Sequence, residues 1–207
     1  IEKVMQEIRN LQRSEINEVA EEFDAVKQVG SSTMAHKRNP ITAENVCGLA
    51  RIVRSMVVPS YENALLWHER DLANSSSERF TLSHSMILLD DICSKANKVL
   101  SRMVVNQDAM LENINRQNGL IMAEKMMLEL VDRGMARDDA HEALRVASMR
   151  SIENGVNLEA ICKEMEEITA VMDLGEIEGC FDPKSHLGSS SEIVLRSVAS
   201  AREYCGN

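Results

Sequence analysis

The chain has 207 residues and a formal net charge of −10, long enough for one or two domains with a real core and too acidic for nonspecific binding to nucleic acid. Hydrophobic residues make up 44% and aromatics only 3%, which excludes disorder and favours helix, where straight-chain and small side chains lose least freedom. No apolar run reaches the roughly 20 residues of a membrane span, and Cys47, Cys93, Cys162, Cys180 and Cys205 include no C-x-x-C pair, so the expectation is a cytoplasmic protein with buried reduced thiols and no metal site.

The chain opens at Ile1 inside a helical pattern with no cap before it, and reads as a piece cut from within a longer protein. Ile1, Val4, Met5, Ile8, Leu11, Ile16, Val19, Ala20 and Phe23 recur mostly at steps of three and four, predicting one amphipathic helix that ends before Gly30. Residues 28–39 form a polar loop of small residues. Asn39 then reads as N-cap and Pro40 as first residue of a helix to about Val58, where Pro59 interrupts or kinks it. Residues 60–74 are a less regular connection, and 75–105 read as one long apolar-rich helix. Asn106-Gln107-Asp108 offers caps for shorter helices at 108–115, 119–133, 138–153, 158–167 and 189–203. Gly134 and Gly155 suit helix C-termini, and Asp138 and Asn157 suit N-caps. No strand alternation and no internal repeat is visible. The expected fold class is all-α, with a long-helix bundle domain over 1–105 and a small helical domain over 106–207.

Two segments carry chemistry. Gly30-Ser31-Ser32-Thr33-Met34-Ala35-His36-Lys37-Arg38-Asn39-Pro40 places Gly and Ser amides beside three basic-capable side chains and a helix start. It suits either a solvated turn or a grip on an anion whose charge grows during a reaction. Trp67-His68-Glu69-Arg70-Asp71-Leu72-Ala73-Asn74-Ser75-Ser76-Ser77-Glu78-Arg79 sets two arginines and several hydroxyls at another helix start. Ser75 and Glu78 fit a capping box, and the arginines fit either surface ion pairs or a phosphate site. His84 reads as a helix-surface residue.

The first segment resembles the G-S-S-x-M-P-x-K-x-N loop of the fumarase/aspartase superfamily, and the second is similar to the W-x-E-R-D-x-x-x-S-S-x-E-R region of adenylosuccinate lyases. The tail motifs Gly119-Leu120, Gly134-Met135-Ala136-Arg137 and Phe181-Asp182-Pro183 are similar to the small C-terminal helical domain of the same enzymes. The resemblance implies a β-elimination that releases fumarate from adenylosuccinate, giving AMP, and from the succinylated imidazole-carboxamide ribotide, without cofactor or metal. It implies that Ser31 is the base, with Ser32 its runner-up. Lys37 and Asn39 would bind succinyl carboxylates, Ser32 and Met34 would belong to the substrate-binding loop, and Glu44 would orient a histidine from outside this chain. Arg70, Ser75 and Arg79 would take the nucleotide phosphate and ribose. It further implies a homotetramer whose active sites are shared between subunits, so that this chain alone is inactive. Ala35 stands where the superfamily has proline, and Ser83 follows Leu82 where the family often has Leu-Pro. Two rivals remain open, a 3-carboxymuconate cycloisomerase-like enzyme and a noncatalytic helical assembly protein.

Overall fold

The helical spacing of the apolar residues is realised almost throughout: in a computed structural model, which describes residues 1–22 and 38–206, nearly every element is a helix. The all-α expectation holds. Packing divides the chain into two units, Ile1–Met110 and Leu111–Asn207.

The first unit contains α1 (Glu2–Leu11), β1 (Val19–Ala20), α2 (Ile41–Ser55), α3 (Val57–Glu62), α4 (Ala73–Arg102) and β2 (Val104–Val105), and α5 (Gln107–Asn115) begins within it. Met5 and Ile8 of α1, Ala43, Val46 and Cys47 of α2, and Ile92, Ala96 and Val99 of α4 close on one another as its core. Polar contacts orient the helices. The Lys95 ammonium donates to Asn45 Oδ1 at 2.7 Å and to Asp91 Oδ2 at 2.6 Å, which ties the start of α2 to the late part of α4. Val53 and Met56, at the other end of α2, line a hollow with Ser85. α2 and α4 therefore run antiparallel.

The single helix expected from Ile1 past Phe23 does not form. Helix α1 stops at Leu11, because the Arg13 carbonyl accepts the amides of Ile16 (2.9 Å) and Asn17 (2.7 Å). Asn17 takes a left-handed φ of 53°, which a short polar side chain tolerates. The chain emerges as β1, which pairs antiparallel with β2 in the register Val19↔Val105 and Ala20↔Val104. The expected absence of strands is thus also corrected: a two-residue ladder leaves no alternation to detect. Phe23 and the predicted end before Gly30 lie outside the described residues.

Proline 59 acts upstream of itself. It lacks an N–H for the Ser55 carbonyl four residues earlier, and the break between α2 and α3 falls at Met56. Proline itself sits in the first turn of α3, where no donor is needed. Asn106 caps α5 as expected, with Oδ1 accepting the Ala109 amide at 3.1 Å.

The second unit packs α6 (Ala123–Asp132), α7 (Arg137–Asn154), α8 (Leu158–Glu164), α9 (Glu166–Thr169) and α10 (Leu174–Phe181) around Met126, Leu130, Leu144, Leu158, Ile168 and Ile177, and ends in α11 (Ser190–Cys205). Gly155, at φ 65°, closes α7, and Asn157 caps α8 by accepting the Glu159 amide at 2.8 Å. Three details depart from expectation. Asp138 is not an N-cap but lies in the first turn of α7, which starts after Ala136. Extended backbone at Met165 splits the helix predicted for 158–167. Helix α10 was not foreseen. Gly119 is required where it stands: its φ is 80°, and a Cβ there would meet Asn157 Oδ1 at 3.1 Å and the Phe181 ring at 3.2 Å.

Candidate functional site

Of the expected site residues, Ser31, Ser32, Met34 and Lys37 lie outside the described residues, and Asn39, Glu44, Arg70, Ser75 and Arg79 lie within them. Asn39 does not cap α2. Pro40 occupies the cap position, and no side chain of its own accepts a bond there. The carbonyl of Asn39 instead takes the Ile41 amide at 2.9 Å. That leaves the second and third amides of the helix to be satisfied. Both are taken by Glu21, from the end of β1: its Oε2 accepts from Thr42 at 3.2 Å and its Oε1 from Ala43 at 2.6 Å.

This arrangement overturns the anion-binding helix start expected after Pro40. The positive end of α2 was expected to attract a substrate carboxylate, but the chain's own carboxylate already fills it. The amides of Thr42 and Ala43 are thus not free to meet an anion. Asn39 and Glu44 are exposed, and among the described residues neither side chain has a hydrogen-bond or ion-pair partner. Together with Arg9, Asn10, Arg13 and Pro40 they line a cleft of about 890 Å³. It is a polar hollow, and among the described residues arginine and amide groups share its lining with the Glu44 carboxylate.

The second constellation stands at the start of α4. The capping box expected of Ser75 and Glu78 is absent, since the helix begins two residues earlier at Ala73. Asp71 holds that corner: Oδ2 accepts the Trp67 amide and Oδ1 the Ala73 amide, each at 2.8 Å. These two amide bonds, Ala73 first and Trp67 second, hold the Asp71 carboxyl below its ordinary range. Asn74 Nδ2 donates to Glu78 Oε1 at 3.0 Å. Ser75 is half-buried in the first turn and Arg79 follows one turn later on the same face. Arg70 precedes the helix and is exposed, as is Arg79. Among the described residues neither guanidinium makes a hydrogen bond or an ion pair, so the surface ion-pair reading does not apply there. His84, exposed on α4, stacks on Phe80 with ring centres 4.0 Å apart.

The structure does not bring the two constellations together within one chain. Asn45, beside Glu44, contacts Lys95, and Ser75 lies 20 residues before Lys95 on the same continuous helix. At the rise of an α-helix that is about 30 Å.

Among the described residues no group of His, Cys, Asp and Glu is placed to hold a metal ion, and no helix is long and apolar enough to cross a membrane. The thiols are free. Burial pushes Cys162 up to about 12 and raises Cys180, so these are inert apolar groups. Cys93 and Cys205 are exposed, contrary to the expectation that all five are buried. Nothing in the sequence singles out Glu21 or Gln12. Glu21 stands among Glu18 and Glu22, and nothing local distinguishes it from a solvated acid.

Residues 119–197 match the family described as adenylosuccinate lyase C-terminus, and residues 1–55 match the family described as lyase. The adenylosuccinate lyase of Methanothermobacter thermautotrophicus is 44% identical over 204 residues, covering 99% of this chain and 45% of that protein. That of Archaeoglobus fulgidus is 46% identical over 198 residues, 96% of this chain and 44% of that protein. The chain thus spans less than half the length of the curated relatives it matches. Among solved structures, the 3-carboxy-cis,cis-muconate lactonizing enzyme of Pseudomonas putida superposes with a TM-score of 0.87 at 24% identity, over 99% of this chain and 44% of that one. A fumarate lyase from Mesorhizobium sp. BNC1 gives 0.80 at 24% identity, over 93% of this chain and 42% of that one. These two share the fold.

Proposed function

We propose that the chain belongs to the adenylosuccinate lyase family and that the protein carrying it releases fumarate by β-elimination from adenylosuccinate, leaving AMP, and from the succinylated imidazole-carboxamide ribotide. The observation that carries this reading is the 44% and 46% identity to proteins of that name across nearly the whole chain. In the proposed step Ser31 takes the proton from the succinyl Cβ. The electron pair passes into the adjacent carboxylate as an aci-carboxylate, which Lys37 and Asn39 stabilise. Re-formation of that carboxylate expels the nitrogen, which a histidine from outside this chain, oriented by Glu44, protonates. Ser32 and Met34 complete the loop against the substrate. Arg70, Ser75 and Arg79 hold the phosphate and ribose; two guanidiniums without partners among the described residues, flanking a helix start, favour that role.

The separation along α4 within one chain, about 30 Å from Lys95 to Ser75, supports an assembly in which the Asn39 end of one copy meets the Arg79 end of another. Helix α4 supports it too, since Phe80, Leu82, Met86 and Ile87 are all more than half exposed and form apolar surface of the kind that pairs copies. The reading is therefore a homo-oligomer, a tetramer by family resemblance, with sites shared between subunits and no site complete in this chain alone.

The test is fumarate release from adenylosuccinate by the whole protein. Ser31→Ala should abolish turnover, and near-normal turnover would refute its role. Arg79→Ala should abolish AMP binding, and AMP binding that survives the change would favour a nonphosphorylated acid as substrate. Mixed oligomers of Ser31→Ala and Arg79→Ala should recover activity, since some sites then draw both intact groups. Failure of every mixture to recover would place both groups in one subunit, against the geometry of α2 and α4.

A further inference from the structure

The start of α2, which follows Asn39 and carries Glu44, closes one turn through its own backbone, the Glu44 amide donating to the Pro40 carbonyl at 2.9 Å, but has no side-chain cap of its own. Pro40 lacks an N–H, and no side chain within α2 or at its cap accepts a bond from the first turn. Its cap comes from residues far earlier in the chain. Glu21 grips the amides of Thr42 and Ala43 with its two carboxylate oxygens. Its own amide donates to Gln12 Oε1 at 2.9 Å, and Gln12 Nε2 donates to the Arg38 carbonyl at 3.3 Å. The contacts form a ring: Gln12 at the end of α1 holds Glu21 and Arg38, while Glu21 holds the start of α2. Residues 38–43 are thereby pinned on both sides of Asn39. A carboxylate is suited to this task. It accepts two amides at once, and its charge is stabilised at a helix N-terminus.

We propose that Glu21, supported by Gln12, is the positioning residue of the candidate site: by capping α2 from β1 it sets where Asn39 and Glu44 stand. Its consequence for turnover rests on the lyase reading above; the clamp itself does not. A small displacement of a group that binds a reacting carboxylate weakens binding of substrate. A purely stabilising cap behaves differently, because loss of folded protein lowers the apparent kcat and leaves KM alone.

The experiment uses the whole protein with Glu21→Ala and Glu21→Gln. Glutamine keeps the length and one acceptor oxygen, so it both guards against misfolding and provides partial rescue. Losing a cap of this kind should raise KM for adenylosuccinate about tenfold in Glu21→Ala and a few-fold in Glu21→Gln. Amide hydrogen exchange of a peptide spanning residues 41–44 should quicken in the same order, with residues 2–11 unchanged. Exchange at 41–44 that stays at the wild-type rate overturns the clamp. Faster exchange with wild-type KM and wild-type kcat per folded protein also overturns the proposal, reducing Glu21 to a helix cap. Should the unmodified protein release no fumarate, the lyase reading fails separately, and the exchange rates alone then decide the clamp.

Discussion

In the unit of residues 111–207, Met126, Leu130, Leu158, Ile168 and Ile177 are fully buried in one continuous cluster. In the unit of residues 1–110, α4 runs for 30 residues, about 45 Å, with only Thr81, Ile92, Ala96 and Val99 buried. Many of its other apolar residues, among them Phe80, Leu82, Met86 and Ile87, face outward. The two regions use similar side chains to different ends. Helices α6 to α10 together enclose one core, whereas α4 buries one stretch against its neighbours and leaves much of the rest uncovered. Helix α11, which buries nothing, behaves like α4 and not like the helices that precede it. The candidate site belongs to the open region, in keeping with the separation of Asn39 from Arg79.

The contrast breaks most easily in the closed core. Leu130→Ala should cost about 2–5 kcal/mol, because a fully buried leucine leaves a cavity that tightly packed neighbours cannot fill. Urea unfolding of the chain reads this directly. A cost near zero would mean that the second unit is as loosely packed as the outer face of α4. The next largest effect is at the start of α10. Asp173 accepts the Glu176 amide at 2.8 Å, and Glu176 Oε2 accepts the Asp173 amide at 3.0 Å. Asp173→Ala should cost about 1 kcal/mol in the same measurement.

These positions also show what a sequence can disclose. Asn106, Asn157 and Gly155 act on backbone within a few residues of themselves, so their roles were readable. Asp173 and Glu176 carried an equally local signal, which Gly175 and Gly179 obscured by arguing against a helix. Ser75 and Glu78 displayed the same pattern without its consequence, since Asp71 had already fixed an earlier start. Glu21 was unreadable for a different reason. It caps a helix that begins 20 residues later, and only the fold brings the two together. The β1–β2 pair joins residues still farther apart. The phosphate role proposed for Arg70, Ser75 and Arg79 rests on spacing and resemblance, whereas their distance from Asn39 needed the antiparallel packing of α2 on α4.

A smaller effect should follow pH in the closed unit. Glu129 accepts from Lys125 at 2.6 Å and from Arg133 at 2.5 Å, and Arg133 also reaches Glu176 at 3.1 Å. Hydrogen bonds from Lys125 and then Arg133 hold the Glu129 carboxyl below its ordinary range. A carboxyl depressed in the folded state contributes stability above its unfolded value of about 4.3, and loses it as pH falls through the lower folded value. Wild type and Glu129→Gln should therefore differ in urea midpoint near pH 7 and converge toward pH 3. A gap that does not narrow on acidification would show that the ion pairs contribute nothing.

The smallest expected effect is the sharpest test of the open region. Ile87 is 67% exposed on α4, so Ile87→Ser should change the unfolding free energy of this chain by no more than about 0.5 kcal/mol. In the whole protein the same substitution should act elsewhere. If the outward face of α4 is where copies meet, a hydroxyl placed there must be desolvated on assembly, and sedimentation should register a fall in oligomer mass at dilution. The two measurements pull apart only if the face is empty in the single chain and covered in the assembly. A loss of chain stability as large as that of Leu130→Ala would mean that α4 is already packed in the monomer. The difference between the two units would then disappear, and with it the reason for seeking the Arg79 partner on another copy.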